Sequence, residues 1–274
     1  MMKLHKSLII IVLVSAFSFA KGQSDELLLD KIDFNDTTLI EGGFMWETIA
    51  EYITQAQESD ADPKNQMYNL ILAADNVLGR SVTSYQMYVA VYQYLLSGFS
   101  ELGANAIVDY LVRMPYLESL NANEEQRNSI ISIAESYERV KIGLQSPEIQ
   151  CITVFDKEFD LYDIDKKYTI ILFWSYSCPH CRDLISELGR LTSEKNDVAI
   201  VTVNVSGDFK QVKKLLKKAG LKKQYNVCDG KGWNSEIVED YAVNMTPSLF
   251  LLDKDKIIIS KPFDLEEITN SVEL

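Results

Sequence analysis

Two cysteines three positions apart, Cys178 and Cys181, close the stretch Ile170-Ile171-Leu172-Phe173-Trp174-Ser175-Tyr176-Ser177-Cys178-Pro179-His180-Cys181. An apolar run precedes them, and Leu184, Leu188 and Leu191 follow at helical spacing. The pair therefore sits where a buried strand turns into a helix. At a helix start, free backbone N–H groups and the positive end of the dipole favour a thiolate over a thiol. Cys178 falls at that start and is the candidate nucleophile. Cys181 lies one turn inside, near enough to close a small disulfide, and is the candidate resolving thiol that would attack a mixed disulfide. Pro179 suits the first helical turn, where its missing N–H would be unpaired anyway. His180, one of two histidines in the chain, lies between the sulfurs and can stabilise a thiolate by charge or hydrogen bonding, tuning the pair towards oxidation. Cys178, His180 and Cys181 could also hold a soft metal, but no fourth ligand stands nearby. Thiol–disulfide exchange is the favoured chemistry, with no metal and no cofactor expected.

The elements that must position this pair follow from the pattern of apolar residues. Tyr168–Trp174 reads as a central strand, and Pro179–Thr192 as the helix that carries the cysteines. Val198–Asn204 is a near-continuous β-branched run, as a buried parallel strand requires. Phe209–Ala219 reads as a crossover helix and Asn234–Tyr241 as a shorter one. Ser248–Leu252 and Lys256–Ser260 form an antiparallel hairpin around Asp253-Lys254-Asp255, and Leu265–Val272 a last helix. Before the central strand, Ile149–Phe155 reads as a strand, Asp156-Lys157-Glu158 as a turn and Phe159–Tyr162 as a second short strand or loop.

The Trp-to-CxxC stretch, together with Met245-Thr246-Pro247 and the strand after it, resembles the thioredoxin superfamily, in particular its TlpA/ResA-like branch of bacterial envelope proteins. The resemblance covers about residues 150–274. It implies an α/β thioredoxin-like domain, a central mixed sheet flanked by helices, with a Cys178–Cys181 disulfide in the oxidised form. It implies that Pro247 is cis and faces the cysteines, and that the Thr246 backbone pairs with an extended substrate peptide. Trp174 and Pro179 would then line the substrate surface. Two positions depart from the family. The buried acid that thioredoxin carries six residues before its nucleophile is Leu172 here, and the Glu that some ResA-like members place three residues after the second cysteine is Leu184. Proton transfer is thus left without an assigned group. A peroxiredoxin is excluded, because Ser177-Cys178-Pro179 lacks that family's pattern around its cysteine.

The beginning of the chain reads as an address. Lys3, His5 and Lys6 precede the apolar run Leu8–Phe17, and Ser18-Phe19-Ala20 offers a small-x-small cleavage site, so residues 1–20 are expected to be a signal peptide. No lipobox cysteine follows, and no later stretch is apolar enough to span a membrane. The expected location is periplasmic or secreted, where disulfide partners exist. Residues 25–145 read as helices. Met45, Ile49, Tyr52, Ile53 and Ala56 share one face, as do Met67, Leu70, Ile71, Ala74 and Leu78. Asp62-Pro63 marks a start and Gly79 an end. Further helices are expected from Ser81 (carrying Tyr85, Tyr88, Val89, Tyr92, Leu95 and Leu96), over 104–114, and over 123–142. Gln145-Ser146-Pro147-Glu148 is the linker candidate. The fold class is thus α+β in two domains, an all-α N-terminal one of unassigned function and the thioredoxin-like one.

A net charge of −13 argues against nucleic acid and anionic membrane surfaces as partners. The expected activity is thiol–disulfide exchange with protein disulfides through the CPHC motif, as a reductase supplied by an upstream envelope electron donor. Two alternatives remain: a DsbA-like oxidase or isomerase, for which Pro-His between the cysteines speaks, and a binding protein that uses the helical domain with the thioredoxin-like domain as scaffold. Cys151 and Cys228 stand outside the motif and are expected to be buried, inert thiols, with a 151–228 disulfide as the other option.

Overall fold

The computed structural model describes residues 28–60, 62–114, 116–194, 197–206, 209–262 and 264–271. The leader expected at 1–20, and residues 25–27, lie outside them. Contacts divide the chain into two units, one running to Ser100 with Ala104–Glu135, the other comprising Glu101–Gly103 and everything from Ser136 onward.

The helical unit carries α1 (Gly43–Glu58), α2 (Pro63–Arg80), α3 (Tyr85–Glu101), α4 (Asn105–Leu111) and most of α5 (Glu124–Arg139). Met45, Ile49, Tyr52 and Ile53 are buried on α1, as the spacing predicts. Asp62 caps α2 by accepting the Lys64 N–H, with Pro63 in the first turn. The helix does not stop at Gly79. It runs on to Arg80 and closes on Ser81, while Gly79 lies so near Tyr116 that a Cβ there would come 3.1 Å from its hydroxyl oxygen. That glycine makes room for a neighbour. The buried face of α3 is Met87, Tyr88, Val91, Tyr92 and Leu95, whereas Tyr85 and Val89 are half-buried. The helix expected over 104–114 ends at Leu111, and Met114 is already left-handed at φ 56°.

The second unit is a five-stranded mixed sheet. Its strands are β3 (Tyr168–Trp174), β4 (Val198–Asn204), β5 (Tyr225–Val227), β6 (Ser248–Asp253) and β7 (Ile258–Ser260), preceded by the small antiparallel pair β1 (Gln150–Ile152) and β2 (Glu158–Asp160). The order across the sheet is β5-β4-β3-β6-β7, with β3, β4 and β5 parallel, β6 antiparallel to β3, and β7 antiparallel to β6. Side-chain alternation splits β3 between two cores. Ile171 and Phe173 join Val201, Val203, Phe250 and Tyr241 on one face. Ile170, Leu172 and Trp174 join Ile200, Leu249 and Leu251 on the other, beneath α6 (Pro179–Glu194) and α7 (Phe209–Lys218). Both faces are covered, so β3 and β4 read as continuous apolar runs. Helix α8 (Glu236–Asp240) lies between β5 and β6, and α9 (Leu265–Ser271) follows β7. Gly189 lets α6 touch the end of α7: a Cβ there would lie 1.8 Å from the Ala219 carbonyl oxygen.

The segment read as a linker is tied down. Gly143 and Ser146 donate backbone N–H bonds to the Ile258 and Lys256 carbonyls at 2.8 and 2.9 Å, and Tyr241 donates its hydroxyl to the Pro147 carbonyl at 2.7 Å. This pairing explains why α5 ends at Arg139 and not at 142, since the chain must straighten to meet β7. The strand expected over 149–155 shortens to Gln150–Ile152 because the chain turns at Asp156, φ 60°.

Candidate functional site

Strand β3 delivers the chain to the site fully buried, and Ser175, Tyr176 and Ser177 then turn it into α6. The Cys178 N–H donates to the Ser175 carbonyl at 3.1 Å. Cys178 itself occupies the N-cap of α6. Its carbonyl accepts the first helical bond from Arg182 N–H at 3.3 Å, and its Sγ accepts the Cys181 N–H, also at 3.3 Å. The sulfur thus stands where a capping oxygen would, meeting an N–H of the first turn.

Two side chains fix the turn from outside. The Arg182 guanidinium donates to the Tyr176 carbonyl at 2.8 Å and lies 5.9 Å from that residue's ring centre. Ser206, after β4, accepts the Tyr176 N–H at 3.1 Å and is itself held by Asn204. Neither Arg182 nor Ser206 stands out in the sequence, because their roles depend on what the fold brings beside the turn.

The two sulfurs occupy different surroundings. Cys178 is half-buried and Cys181 is completely buried, and both are thiols in this structure. Burial pushes the Cys181 thiol up to about 12, the adjoining Cys178 sulfur adds to the rise, and the Ser175 backbone and the Thr246 side chain act against it. Beneath lies Leu172, with no exposed surface, so the floor of the site is apolar where thioredoxin has an acid.

The loop before β6 completes the site. The Thr246–Pro247 peptide bond is cis, and the Cys178 thiol donates to the Thr246 carbonyl at 3.7 Å. Thr246 and Pro247 are both half-buried, while Pro179 and His180 are exposed on the first turn of α6. Among the described residues no group of three or more His, Cys, Asp or Glu could hold a metal ion.

Trp174 requires a correction. Its side chain has no exposed surface and packs in the core under α6 with Leu172 and Cys181. It supports the helix from below and does not line a substrate surface. Strand periodicity decides this, since Trp174 shares the inward face with Ile170 and Leu172. Cys228 is buried, and Cys151 is half-buried with its thiol raised to about 11, chiefly by burial with the Asp229 charge adding. They pack into opposite faces of the sheet and are unbridged.

Comparison with known proteins agrees with this geometry. Residues 165–258 match the family model described as thioredoxin-like. Thiol-disulfide oxidoreductase ResA of Bacillus cereus is 25% identical over 126 residues, covering 45% of this chain and 70% of that protein. Thioredoxin-like protein YneN of Bacillus subtilis (strain 168) is 26% identical over 137 residues, 46% of this chain and 76% of that protein. A solved thioredoxin-like protein from Bacteroides caccae ATCC 43185 superposes with a TM-score of 0.57 over 94% of this chain and 98% of its own, at 16% identity. That likeness shows the fold: a helical region followed by a thioredoxin-like domain.

Proposed function

We infer that this chain, whose C-terminal domain is thioredoxin-like, is a thiol–disulfide oxidoreductase that reduces protein disulfides through Cys178 and Cys181. The observation that carries the reading is the pairing of unlike sulfurs. One is half-buried at a helix N-cap and in contact with the Thr246 carbonyl, and the other is buried one turn behind it with its N–H on the first. In the reaction, the Cys178 thiolate attacks one sulfur of a client disulfide and releases the other as a thiol. Cys181, losing its proton, then attacks Cys178, releases the second client thiol and closes a Cys178–Cys181 disulfide. Two electrons pass from the dithiol to the client, and an upstream dithiol donor must restore the pair.

The reductase direction rests on the resemblance to the TlpA/ResA-like branch; burial also keeps Cys181 a neutral thiol, so no second thiolate stabilises the reduced pair. The leader-like residues 1–20 support an extracytoplasmic site of action, and no helix among the described residues is long and apolar enough to cross a membrane. The test is insulin reduction by the full chain with a dithiol donor, together with its equilibrium potential in glutathione buffers. Turnover that vanishes in Cys178→Ala and a potential nearer the thioredoxin value of about −270 mV than the DsbA value of about −120 mV are expected. A potential near the latter replaces the reductase with an oxidase.

A further inference from the structure

We propose that Tyr137, in the last turn of α5, is a positioning residue that fixes, through Asn244, the loop presenting the Thr246 carbonyl to a polypeptide substrate. The inference rests on the thiol–disulfide reading above and adds to it a determinant of substrate class. Tyr137 lies well before the stretch of residues 165–258 that matches the thioredoxin-like model.

The loop between α8 and β6 is closed by a few bonds of its own. Ala242 takes a left-handed backbone at φ 52°, although it is not glycine. Its own N–H and that of Val243 close back on Glu239 and Val238 at 2.9 and 3.0 Å, and Ser248 Oγ donates to the Met245 carbonyl at 2.9 Å. Those bonds stay within the loop and its flanking elements. Asn244, exposed and two residues before Thr246, reaches outside it, and its Nδ2 donates to the Tyr137 hydroxyl oxygen at 3.2 Å. Tyr137 is 5% exposed, so its ring is held by packing and offers a hydroxyl at a fixed point, with little rotamer freedom to lose. The same turn holds the other end of the loop, where Arg139 Nη2 meets Asp240 Oδ1 at 3.3 Å.

What this holds in place is the Thr246 carbonyl, 3.7 Å from Cys178 Sγ. A polypeptide that adds as a strand at Thr246 aligns its disulfide through that carbonyl, so a shift of the loop misplaces the scissile bond. A small disulfide that makes no strand pairing reaches Cys178 without using the loop. Tyr137 therefore governs reaction with polypeptides and leaves reaction with small disulfides alone.

The test uses the full chain, reduced, with Tyr137→Phe (which keeps the ring and removes only the hydroxyl), Asn244→Ala (an exposed site), and the double variant. Substrates are insulin and oxidised glutathione. Each single variant is expected to lower kcat/KM for insulin about two- to tenfold, the range of one hydrogen bond, through KM and not kcat. The double variant should lose no more than either single, as partners in one interaction do. The glutathione rate should not change. Insulin rates equal to wild type, parallel losses on both substrates, or additive losses would overturn the role of Tyr137 while leaving the oxidoreductase reading intact. Wild-type protein inactive on both substrates would overturn the oxidoreductase reading and this inference with it.

Discussion

The burial of Cys181 makes a kinetic prediction that separates the two sulfurs. A thiol with its pKa raised to about 12 is ionised in roughly one molecule in 10⁵ at pH 7, against a few per cent for a free cysteine. Only the thiolate attacks, and Cys181 has no exposed surface. Cys178→Ala should thus trap almost no client, whereas Cys181→Ala should accumulate mixed disulfides through Cys178. Resolution of such a mixed disulfide is limited by the few molecules in which Cys181 is ionised. Its rate should climb about tenfold per pH unit from about pH 6 to pH 9, because each unit multiplies that fraction by ten. Part of the rise in Cys181 comes from the Cys178 thiol, which the mixed disulfide alters, but burial, the first cause, remains. The assay loads Cys178 with a fluorescent small thiol and follows its release after a pH jump. Thr246→Val, which removes the hydroxyl acting against the rise, should slow release further and leave trapping in the Cys181→Ala background intact. A release rate that levels off below about pH 9 would refute the reasoning, since a second group would then be taking the proton. Equal trapping by the two cysteine variants would refute the division of roles itself.

Gly189→Ala should lower stability by about 1–3 kcal/mol, the range for overpacking, because the new Cβ falls 1.8 Å from the Ala219 carbonyl oxygen; a urea midpoint equal to wild type would count against it. A fragment beginning at Gln150 should melt well below one beginning at Ser136, or fail to fold, since it discards Val140 and Ile149, both fully buried, at about 1.5–3 kcal/mol each. Equal melting temperatures would show that residues 136–149 are dispensable. Replacing His180, exposed between the cysteines, by Pro should make the couple more reducing in glutathione equilibration, because a group able to stabilise a nearby thiolate is gone; an unchanged potential would remove His180 from any tuning role.

Much of the sheet domain could be read in advance, for a physical reason. Strands β3 and β4 are buried on both faces, so their apolar runs have sharp ends, and the expected bounds Tyr168–Trp174 and Val198–Asn204 coincide with the structure. Strand β5 went unread because three residues, Tyr225–Val227, are too few to show a period. The cysteines announced themselves by type and spacing. Their neighbours did not: Arg182, Ser206 and Tyr137 act through contacts closed by tertiary structure, and nothing local marks a tyrosine as the acceptor for an asparagine more than a hundred positions away. Trp174 was misread for another reason. The family resemblance implied a place on the substrate surface, whereas strand geometry turns that side chain inward.

The tyrosines of the helical region show how a polar aromatic is accommodated in a core. A tyrosine can fill a core if its hydroxyl finds a partner, and several of these do. Tyr94 stacks on Trp46 with ring centres 4.7 Å apart and donates to the Trp46 carbonyl at 3.1 Å. Tyr92 donates to the Leu111 carbonyl at 3.0 Å. Tyr110 and Tyr116 both donate to Asp75 Oδ1, so one carboxylate gathers hydroxyls from two segments. The Tyr94 hydroxyl is pushed far above its ordinary value by burial, and that of Tyr110 by burial and by the Asp75 bond and charge. These phenols are therefore fixed donors at any physiological pH. Each hydroxyl spent on a helix carbonyl or on Asp75 is a specific tie between helices, which a phenylalanine could not make. The hydroxyls of Tyr92, Tyr94 and Tyr110 are bonded within the helical region and add to its internal order, while Tyr68 and Tyr116 are exposed at 61% and 36%.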